Sequence, residues 1–178
     1  GMALMVSPLR TEVTVTQYRA CVRAGVCSPP HCDENSSTDS NADNDPLTAG
    51  WLSCNYVHER SEHPVNWVSW DQAVTFVTWV GGRLPSESEW EYAARSGGRE
   101  QAYPWGDDEP TCELVNMPQQ QEGHCFDEGT SPVCAHESGN SEDGICDLAG
   151  NVGEWMADHE YESISSVPAD GRPWMNPE

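Results

Sequence analysis

Eight cysteines constrain the fold of this chain more than any other feature of its sequence. Their number is even, and no pair has the C-x-x-C spacing of a zinc ribbon or a thioredoxin-type redox motif. Eight cysteines allow about 105 connectivities, among which we favour those that close short loops. The favoured pairs are Cys21–Cys27, Cys32–Cys54, Cys112–Cys125 and Cys134–Cys146. Such disulfides predict a secreted, periplasmic or cell-surface protein, whereas the alternative is that the cysteines are free, buried thiols.

Length and charge narrow the class of protein further. A chain of 178 residues suits one domain, over residues 1–178, and its eight Trp, five Tyr and two Phe argue against wholesale disorder. There are 30 Asp and Glu against 8 Lys and Arg, which gives a formal net charge of −22. Such a surface repels phosphate groups, so nucleic acid is excluded as a partner, and no apolar run is long enough for membrane insertion. The acidity either serves solubility or holds divalent cations.

Three capping boxes, each a Ser or Thr followed three residues later by Gln or Glu, predict three short helices. The pairs are Thr14 with Gln17, Ser69 with Gln72, and Ser86 with Glu89. Apolar residues at helical spacing follow each box. The predicted buried faces are Tyr18, Cys21, Val22 and Val26, then Ala73, Phe76, Val77 and Val80, then Trp90, Ala93 and Ala94. Glycines at 25, 81–82 and 97–98 are expected to end the helices, the third of which spans residues 87–96.

The order of elements predicts an irregular, loop-rich α+β domain. Residues 11–13 have the pattern of the end of a short strand, which the first helix follows. Beyond residue 98 the periodicity fades, and Gly, Pro, Asn and Asp interrupt short apolar runs. We expect disulfides or metals to order these loops.

An acidic loop at residues 28–50 contains part of a calcium-loop pattern. Its acidic and amide residues alternate at Asp39, Asn41, Asp43 and Asp45. The sixth-position glycine and the closing glutamate of such a loop are absent, because Asn44 and Gly50 stand there. A solvated loop is therefore the favoured interpretation. A binding surface over residues 33–45 is a further hypothesis.

Six segments occur in one order that matches a known family. They are E-V-T-V-T-Q-Y at 12–18, P-V-N-W-V-S-W-D-Q-A at 64–73, G-G-R-L-P-S-E-S-E-W-E-Y-A-A-R at 81–95, Y-P-W-G at 103–106, T-S-P-V at 130–133 and D-L-A-G-N-V-G-E-W at 147–155. Together they resemble the formylglycine-generating-enzyme (sulfatase-modifying factor) family. The resemblance implies an irregular α+β fold of the C-type-lectin-like kind.

Several side chains in these segments suit the scaffold better than catalysis. The tryptophans are predicted to anchor the core and to place one N–H each on a backbone acceptor. They are Trp67, Trp70, Trp90, Trp105 and Trp155. Arg83 is expected to pair with Glu89 or Glu91.

The best candidate site is a calcium site within the last segment. Calcium takes several oxygen ligands from carboxylates and backbone carbonyls on a flexible turn. Asp147 and Glu154 offer carboxylates, and the carbonyls of Gly150 and Val152 lie between them. The resemblance implies calcium at the matching family positions. The alternative is that the two acids only cap turns.

A second family calcium site matches Asn116 and the carbonyl of Met117. The third ligand departs from the pattern, because Cys125 stands where the family has an Asp and Asp127 is offset by two. The resemblance leaves this second site open.

The catalytic pattern of the family is not found in this chain. Catalytic members carry a cysteine pair after an R-G-G-S-(W/Y) motif, where copper(I) binds and oxygen is activated to oxidise a substrate cysteine to formylglycine. This sequence has no cysteine after Cys146 and no such motif, so no catalytic residue is assigned. We expect a non-catalytic, calcium-stabilised binding module for a protein or peptide ligand. The alternative is a formylglycine-generating oxidase whose C-terminal, copper-binding part lies outside this chain.

Overall fold

The computed structural model describes residues 2–3, 10–32, 54–58, 60–117, 129–159 and 170–175. Helices and strands account for few of these residues. The helices are α1 (Val15–Arg23), α2 (Trp70–Trp79) and α3 (Glu87–Ala94), with a 3-10 turn at Glu137–Gly139. The strands are β1 (Met2–Ala3) and β2 (Gly153–Glu154), which pair in parallel with Met2 opposite Gly153. None of the helices in this described part is long and apolar enough to cross a membrane.

All three predicted capping boxes are formed. In each, the side chain of the N-cap residue accepts a hydrogen bond from the backbone N–H of the third helical residue. The side chain of that third residue accepts one in return from the backbone N–H of the N-cap residue. Two predicted ends hold, since Gly25 and Gly81 follow α1 and α2 at positive φ. The third helix stops at Ala94, earlier than predicted, because Ser96 already adopts a φ of 45°. Once the chain has left helical geometry there, no further turn can be added.

The predicted buried faces are correct at their centres and wrong at their ends. Tyr18, Cys21, Ala73, Phe76 and Val77 are buried. By contrast, Val26 and Val80 are 49% and 46% exposed, because both lie beyond the last residue of their helix. The third face is wrong in degree, since α3 has no fully buried residue and its apolar side chains are half-buried.

The short strand predicted at residues 11–13 does not form. Glu12 and Thr14 are isolated bridge residues, Thr14 in an antiparallel bridge with Pro64, and the Val65 amide donates to the Val13 carbonyl at 2.8 Å. The Val15 amide also donates to the His63 carbonyl at 3.0 Å, but α1 begins at Val15, so the extended pairing cannot continue in that direction.

The hydrophobic core lies between α1, α2 and the extended segment that precedes α2. Val13, Val15, Val65 and Leu84 are part of this buried cluster. In it, the Tyr18 and Phe76 rings stack with centroids 5.5 Å apart. The core therefore belongs to the first half of the chain, and the loops of the second half need other ties.

Disulfides supply part of those ties. Three predicted pairs are confirmed: Cys21–Cys27, Cys32–Cys54 and Cys134–Cys146. Cys112 is disulfide-bonded as well. Its predicted partner, Cys125, lies outside the described residues. The acidic loop with Asp39, Asn41, Asp43 and Asp45 also lies outside them.

Buried polar residues join the second half of the chain to the core. The Asn55 side-chain amide donates to the Pro64 carbonyl at 2.8 Å and to the Thr130 hydroxyl at 2.9 Å. The Asn66 side-chain oxygen accepts a hydrogen bond from the backbone amide of Asn55 at 2.9 Å. Since buried polar groups are costly without partners, this network fixes the segment that begins at Thr130.

Tryptophans make a second connection, although they are half-buried rather than core residues. The Trp70 indole donates to the Met156 carbonyl and the Trp155 indole to the Val68 carbonyl, each at 2.9 Å. This reciprocal pair holds the end of the 147–155 segment against the start of α2. The predicted bond to a backbone acceptor is thus confirmed for both, and also for Trp105. It is wrong for Trp90, whose indole donates to a carboxylate, and for Trp67, whose indole N–H has no partner.

Candidate metal site

The predicted calcium segment is a loop with unusual backbone geometry. Asp147, Gly150 and Asn151 have φ values of 58°, 105° and 56°. Asp and Asn tolerate this left-handed region better than other non-glycine residues, although it costs about 1–2 kcal/mol per residue. The sequence D-L-A-G-N therefore folds here into successive tight turns, which aim backbone and side-chain oxygens in different directions.

These turns form one wall of an open pocket of about 550 Å³. Its lining residues are Glu87, Trp90, Asp147, Leu148, Ala149, Gly150, Val152, Gly153, Glu154 and Met156. The pocket thus brings together four of the residues predicted from the sequence, namely Asp147, Gly150, Val152 and Glu154. The other two, Asn116 and Met117, do not line it.

Glu154 places a buried carboxyl group in this pocket. One of its oxygens, Oε2, accepts a hydrogen bond from the Trp90 indole, and the other, Oε1, is buried without a partner. Burial raises the pKa of Glu154 to about 8, with a further increase from the charge of Asp147 that the Trp90 bond opposes. A buried carboxylate of this kind is unfavourable unless a proton or a cation accompanies it.

Asp147 makes a short hydrogen bond with another loop. Its Oδ2 accepts from the Cys134 backbone amide at 2.7 Å. Burial raises the pKa of Asp147, against the opposing effects of this hydrogen bond and of the nearby His136. Its rotamer therefore depends on where the Cys134 amide lies.

Glu12 is a third carboxyl group that sequence reasoning did not assign to the site. It is fully buried, its Oε2 accepts from the Asn151 side-chain amide at 2.7 Å, and its Oε1 has no partner. Burial raises its pKa well above the usual value, and the charges of Asp147 and Glu154 raise it further. The only sequence signal was its place at the start of the E-V-T motif, 135 residues or more from the other acids.

The chemistry of this pocket fits a calcium ion. Oxygen donors of two carboxylates and nearby carbonyls are the ligands calcium prefers, and the partnerless Oε1 of Glu154 has no other bond to satisfy it. A cation there would also relieve the repulsion among Asp147, Glu154 and Glu12. Among the described residues, however, no group of three or more His, Cys, Asp or Glu side chains has the arrangement of a metal site. Carbonyls and waters would therefore have to complete the coordination shell.

Asn116 lies directly behind the pocket turn. Its side chain is buried, with Nδ2 donating to the Gly129 carbonyl at 3.0 Å and Oδ1 without a partner. Its own carbonyl accepts from the Asn151 amide at 2.8 Å. Met117 is half-buried beside it. The later acidic position of the predicted second site lies outside the described residues, so that site stays a prediction.

The fold and the site define a class of protein, and a family model identifies it. The model of the sulfatase-modifying factor enzyme 1-like domain matches residues 9–176. The chain belongs to this family. The match also confirms the loop-rich α+β fold expected from the sequence.

Some similar proteins are named as formylglycine-generating enzymes, and others are named as inactive. The chain is 40% identical over 109 residues to the formylglycine-generating enzyme of Thermomonospora curvata, an alignment that covers 57% of this chain and 35% of that protein. It is 41% identical over 105 residues to inactive C-alpha-formylglycine-generating enzyme 2 of Bos taurus, which covers 57% of this chain and 35% of that protein. The chain thus spans about a third of the length of these curated relatives.

A solved structure resembles this fold. PvdO from Pseudomonas aeruginosa superposes with a TM-score of 0.54 at 29% identity, over 66% of this chain and 47% of that one.

Proposed function

We propose that this chain is a non-catalytic binding domain whose loops are stabilised by calcium. The observation that carries the proposal is the carboxyl group of Glu154, a residue that lines the pocket, because one of its oxygens is buried without a partner. A group in this state is destabilising at neutral pH, and a divalent cation converts it into a ligand. The disulfides suit an oxidising compartment, so we place the protein outside the cytosol or at the cell surface.

Calcium would be held by the Asp147 and Glu154 carboxylates and by the carbonyls of Gly150 and Val152. When bound, it would supply positive charge to a turn whose acids otherwise repel each other. Its role is structural: it would fix the loops around the pocket so that they present a constant surface to a protein or peptide ligand.

The cysteines support a non-catalytic role. Copper(I) needs thiolate ligands, and within the described part of the chain no cysteine is free. A relative named as inactive shares 41% identity with this chain. The alternative is an oxidase whose copper-binding part is outside this chain, and the names of the catalytic relatives favour it.

Calcium binding is tested by titration calorimetry of the full chain, together with melting curves in calcium and in EDTA. We expect saturable binding and a higher Tm in calcium, because a ligand that binds only the folded state stabilises it. Magnesium serves as the control cation, since it is smaller and demands a stricter octahedral geometry. If the chain shows no binding heat and its Tm does not depend on calcium, the proposed site is contradicted.

Catalysis is tested with a peptide that carries the C-x-P-x-R motif, copper(I) and oxygen, followed by mass spectrometry. We expect the peptide cysteine to stay unchanged, with a formylglycine-generating enzyme as positive control. Conversion by this chain would overturn the non-catalytic proposal. Conversion only by a longer gene product would favour the oxidase alternative.

A further inference from the structure

The Cys134–Cys146 disulfide joins the two loops that meet at the candidate metal site. It links positions 12 residues apart, with their Cα atoms 5.1 Å from each other. Cys146 is buried and directly precedes Asp147, while Cys134 closely follows the T-S-P-V segment. The bridge is therefore a covalent tie one residue away from a pocket carboxylate.

A hydrogen bond closes a ring through the same residues. The Cys134 backbone amide donates to Asp147 Oδ2 at 2.7 Å. From that amide the covalent path runs through the Cys134 side chain, across the disulfide to Cys146, and on to Asp147. The bridge thus fixes the donor and the acceptor of the bond that orients the Asp147 carboxylate.

The backbone is strained at both ends of this tie. Cys134 and Asp147 both have a φ of 58°, a conformation that L-residues avoid without external restraint. The Ala135 amide donates to the Pro132 carbonyl at 3.1 Å and closes a turn around Cys134, and the disulfide ties that turn to the residue before Asp147. The Val133 amide donates to the Glu62 carbonyl at 3.0 Å, and the Cys146 amide donates to the Arg10 carbonyl at 2.9 Å.

We propose that Cys134–Cys146 is a positioning disulfide for the pocket, so that the affinity of the pocket for calcium depends on the oxidation state of this bridge. When the bridge opens, the turn at residues 132–135 is no longer tied covalently to the residue before Asp147, and the Cys134 amide can turn away from the carboxylate. The carboxylate then loses the orientation that a calcium ligand needs. This inference rests on the proposed calcium site and adds a redox dependence to it.

Another disulfide provides a matched control. Cys21–Cys27 also closes a short loop, of 6 residues, and is buried in the hydrophobic core. Its backbone bonds stay within the turn after α1, where the Cys27 amide donates to the Cys21 carbonyl at 3.4 Å. Opening this bridge lowers stability without touching the pocket.

The first test compares calcium titrations of the wild type with those of two double variants, C134S/C146S and C21S/C27S. Serine keeps the backbone amide, so only the bridge is removed. We expect C134S/C146S to bind calcium about tenfold more weakly, the scale on which groups that orient ligands act. C21S/C27S should bind as the wild type does, at a temperature where circular dichroism shows that each variant is folded.

The outcomes separate the two proposals. If the wild type binds no calcium, the calcium site itself fails. If the wild type binds and C134S/C146S binds equally well, only the positioning disulfide is overturned. Equal losses in both variants would also overturn it, because the effect would then follow general stability.

A second test uses the unmodified chain and decides the case even if C134S/C146S does not fold. In glutathione buffers, two glutathione thiols reduce a bridge to two cysteine thiols and become glutathione disulfide. Mass spectrometry of alkylated thiols measures how far each bridge is reduced, with and without calcium. Because linkage is reciprocal, a tenfold effect on calcium affinity requires calcium to shift the reduction equilibrium of Cys134–Cys146 about tenfold toward the disulfide. Cys21–Cys27 should not shift, because its removal is expected to leave calcium binding unchanged, and equal shifts for both bridges would contradict the proposal.

Discussion

Single carboxyl groups decide the behaviour of the pocket. The carboxyl group of Glu154 accepts from Trp90 and that of Glu12 accepts from Asn151, and each has one buried oxygen that no group in the described structure satisfies. Exposed acids of the described residues, such as Glu87 and Glu91, reach solvent, whereas these two carboxyl groups do not. The functional information therefore lies in which acids are buried rather than in their number.

The substitution Glu154→Gln should act in opposite directions with and without calcium. The amide keeps an acceptor for the Trp90 indole and removes the buried charge. In EDTA near neutral pH we expect a Tm a few degrees above wild type, since about 1 kcal/mol shifts the Tm of a domain of this size by roughly 2–4 °C. In calcium the variant should show no rise in Tm, because a ligand has been lost.

Glu87→Gln is the control for this substitution. Glu87→Gln changes the formal charge by the same amount as Glu154→Gln. Glu87 lines the same pocket but is exposed, so its substitution changes the desolvation energy little. We expect a small effect on Tm in either buffer. If both variants behave alike in differential scanning fluorimetry, long-range charge and not ligation explains the result.

The pH dependence of the stability of the calcium-free protein follows from the carboxyl group of Glu154. Its pKa is about 8 in the folded state against 4.5 in the unfolded state, so the folded chain retains a proton that the unfolded chain releases between those values. The free energy of unfolding must therefore fall as pH rises through this window. Urea denaturation in EDTA at about pH 5, 6.5 and 8 should show this fall for the wild type and a smaller one for Glu154→Gln. A flat or rising profile would contradict the assignment.

At the scale of elements, the helices are set by local chemistry that the sequence displays. Each capping box satisfies otherwise unpaired amide groups at a helix start, and this needs only residues three apart. In α3 the third residue, Glu89, has a further role, because its oxygens also accept from both terminal nitrogens of Arg83 at 2.6 Å. The helix start is thereby joined to the preceding segment.

Glu89→Gln separates these two roles. Glutamine preserves the capping box and removes the ion pair with Arg83. The hydrogen bonds from Arg83 lower the pKa of Glu89 to about 2, so the stabilisation is present above pH 4.5 and is lost as pH falls toward 2. We expect the variant to be less stable near neutral pH by under about 1 kcal/mol, because the pair is half-exposed, with the difference vanishing toward pH 2.

Glu91→Gln is the comparison for that experiment. Glu91 forms an exposed pair with Arg95 one turn away, and no second role is attached to it. Urea denaturation should detect a smaller loss than for Glu89→Gln. Equal losses would mean that the Arg83 pair contributes no more than an ordinary surface pair.

At the scale of the whole molecule, the pocket depends on a close approach between distant segments. A Cβ at Gly150 would lie 2.5 Å from the Asn116 carbonyl oxygen, and the neighbouring Asn151 amide donates to that same oxygen. Glycine is therefore required at 150 both for its φ of 105° and for this contact.

Gly150→Ala and Gly25→Ala distinguish contact from strain. Both sites have positive φ, but a Cβ at Gly25 meets nothing within 4 Å. We expect about 1 kcal/mol of destabilisation at position 25 from backbone strain alone. At position 150 the clash should add about 1–3 kcal/mol and weaken calcium binding, as measured by urea denaturation and calorimetry. Equal effects would mean that the Asn116 segment moves away without cost.

The sequence by itself predicted the three helix starts, three of the disulfides and four of the residues that line the candidate pocket. Capping boxes, glycine stops and short disulfide loops depend on residues close along the chain, so their pattern is visible in the order of letters. The acids Asp147 and Glu154 were found for the same reason, since both lie on one turn. Errors arose where distant partners decide, as at residues 11–13, where pairing with the segment at Pro64 stays limited to an isolated bridge, and in α3, where Trp90 lines a pocket instead of packing into the core.

Only the tertiary structure decided how that site is completed. It placed Glu12 against Asn151, Trp90 on Glu154 and the Cys134 amide on Asp147, contacts that span 139, 64 and 13 residues of sequence. The energies of these groups depend on burial and on neighbours in space, because a carboxyl is costly only where water is excluded. Burial and spatial neighbours cannot be read from the order of residues along the chain, because both arise only when the folded chain packs.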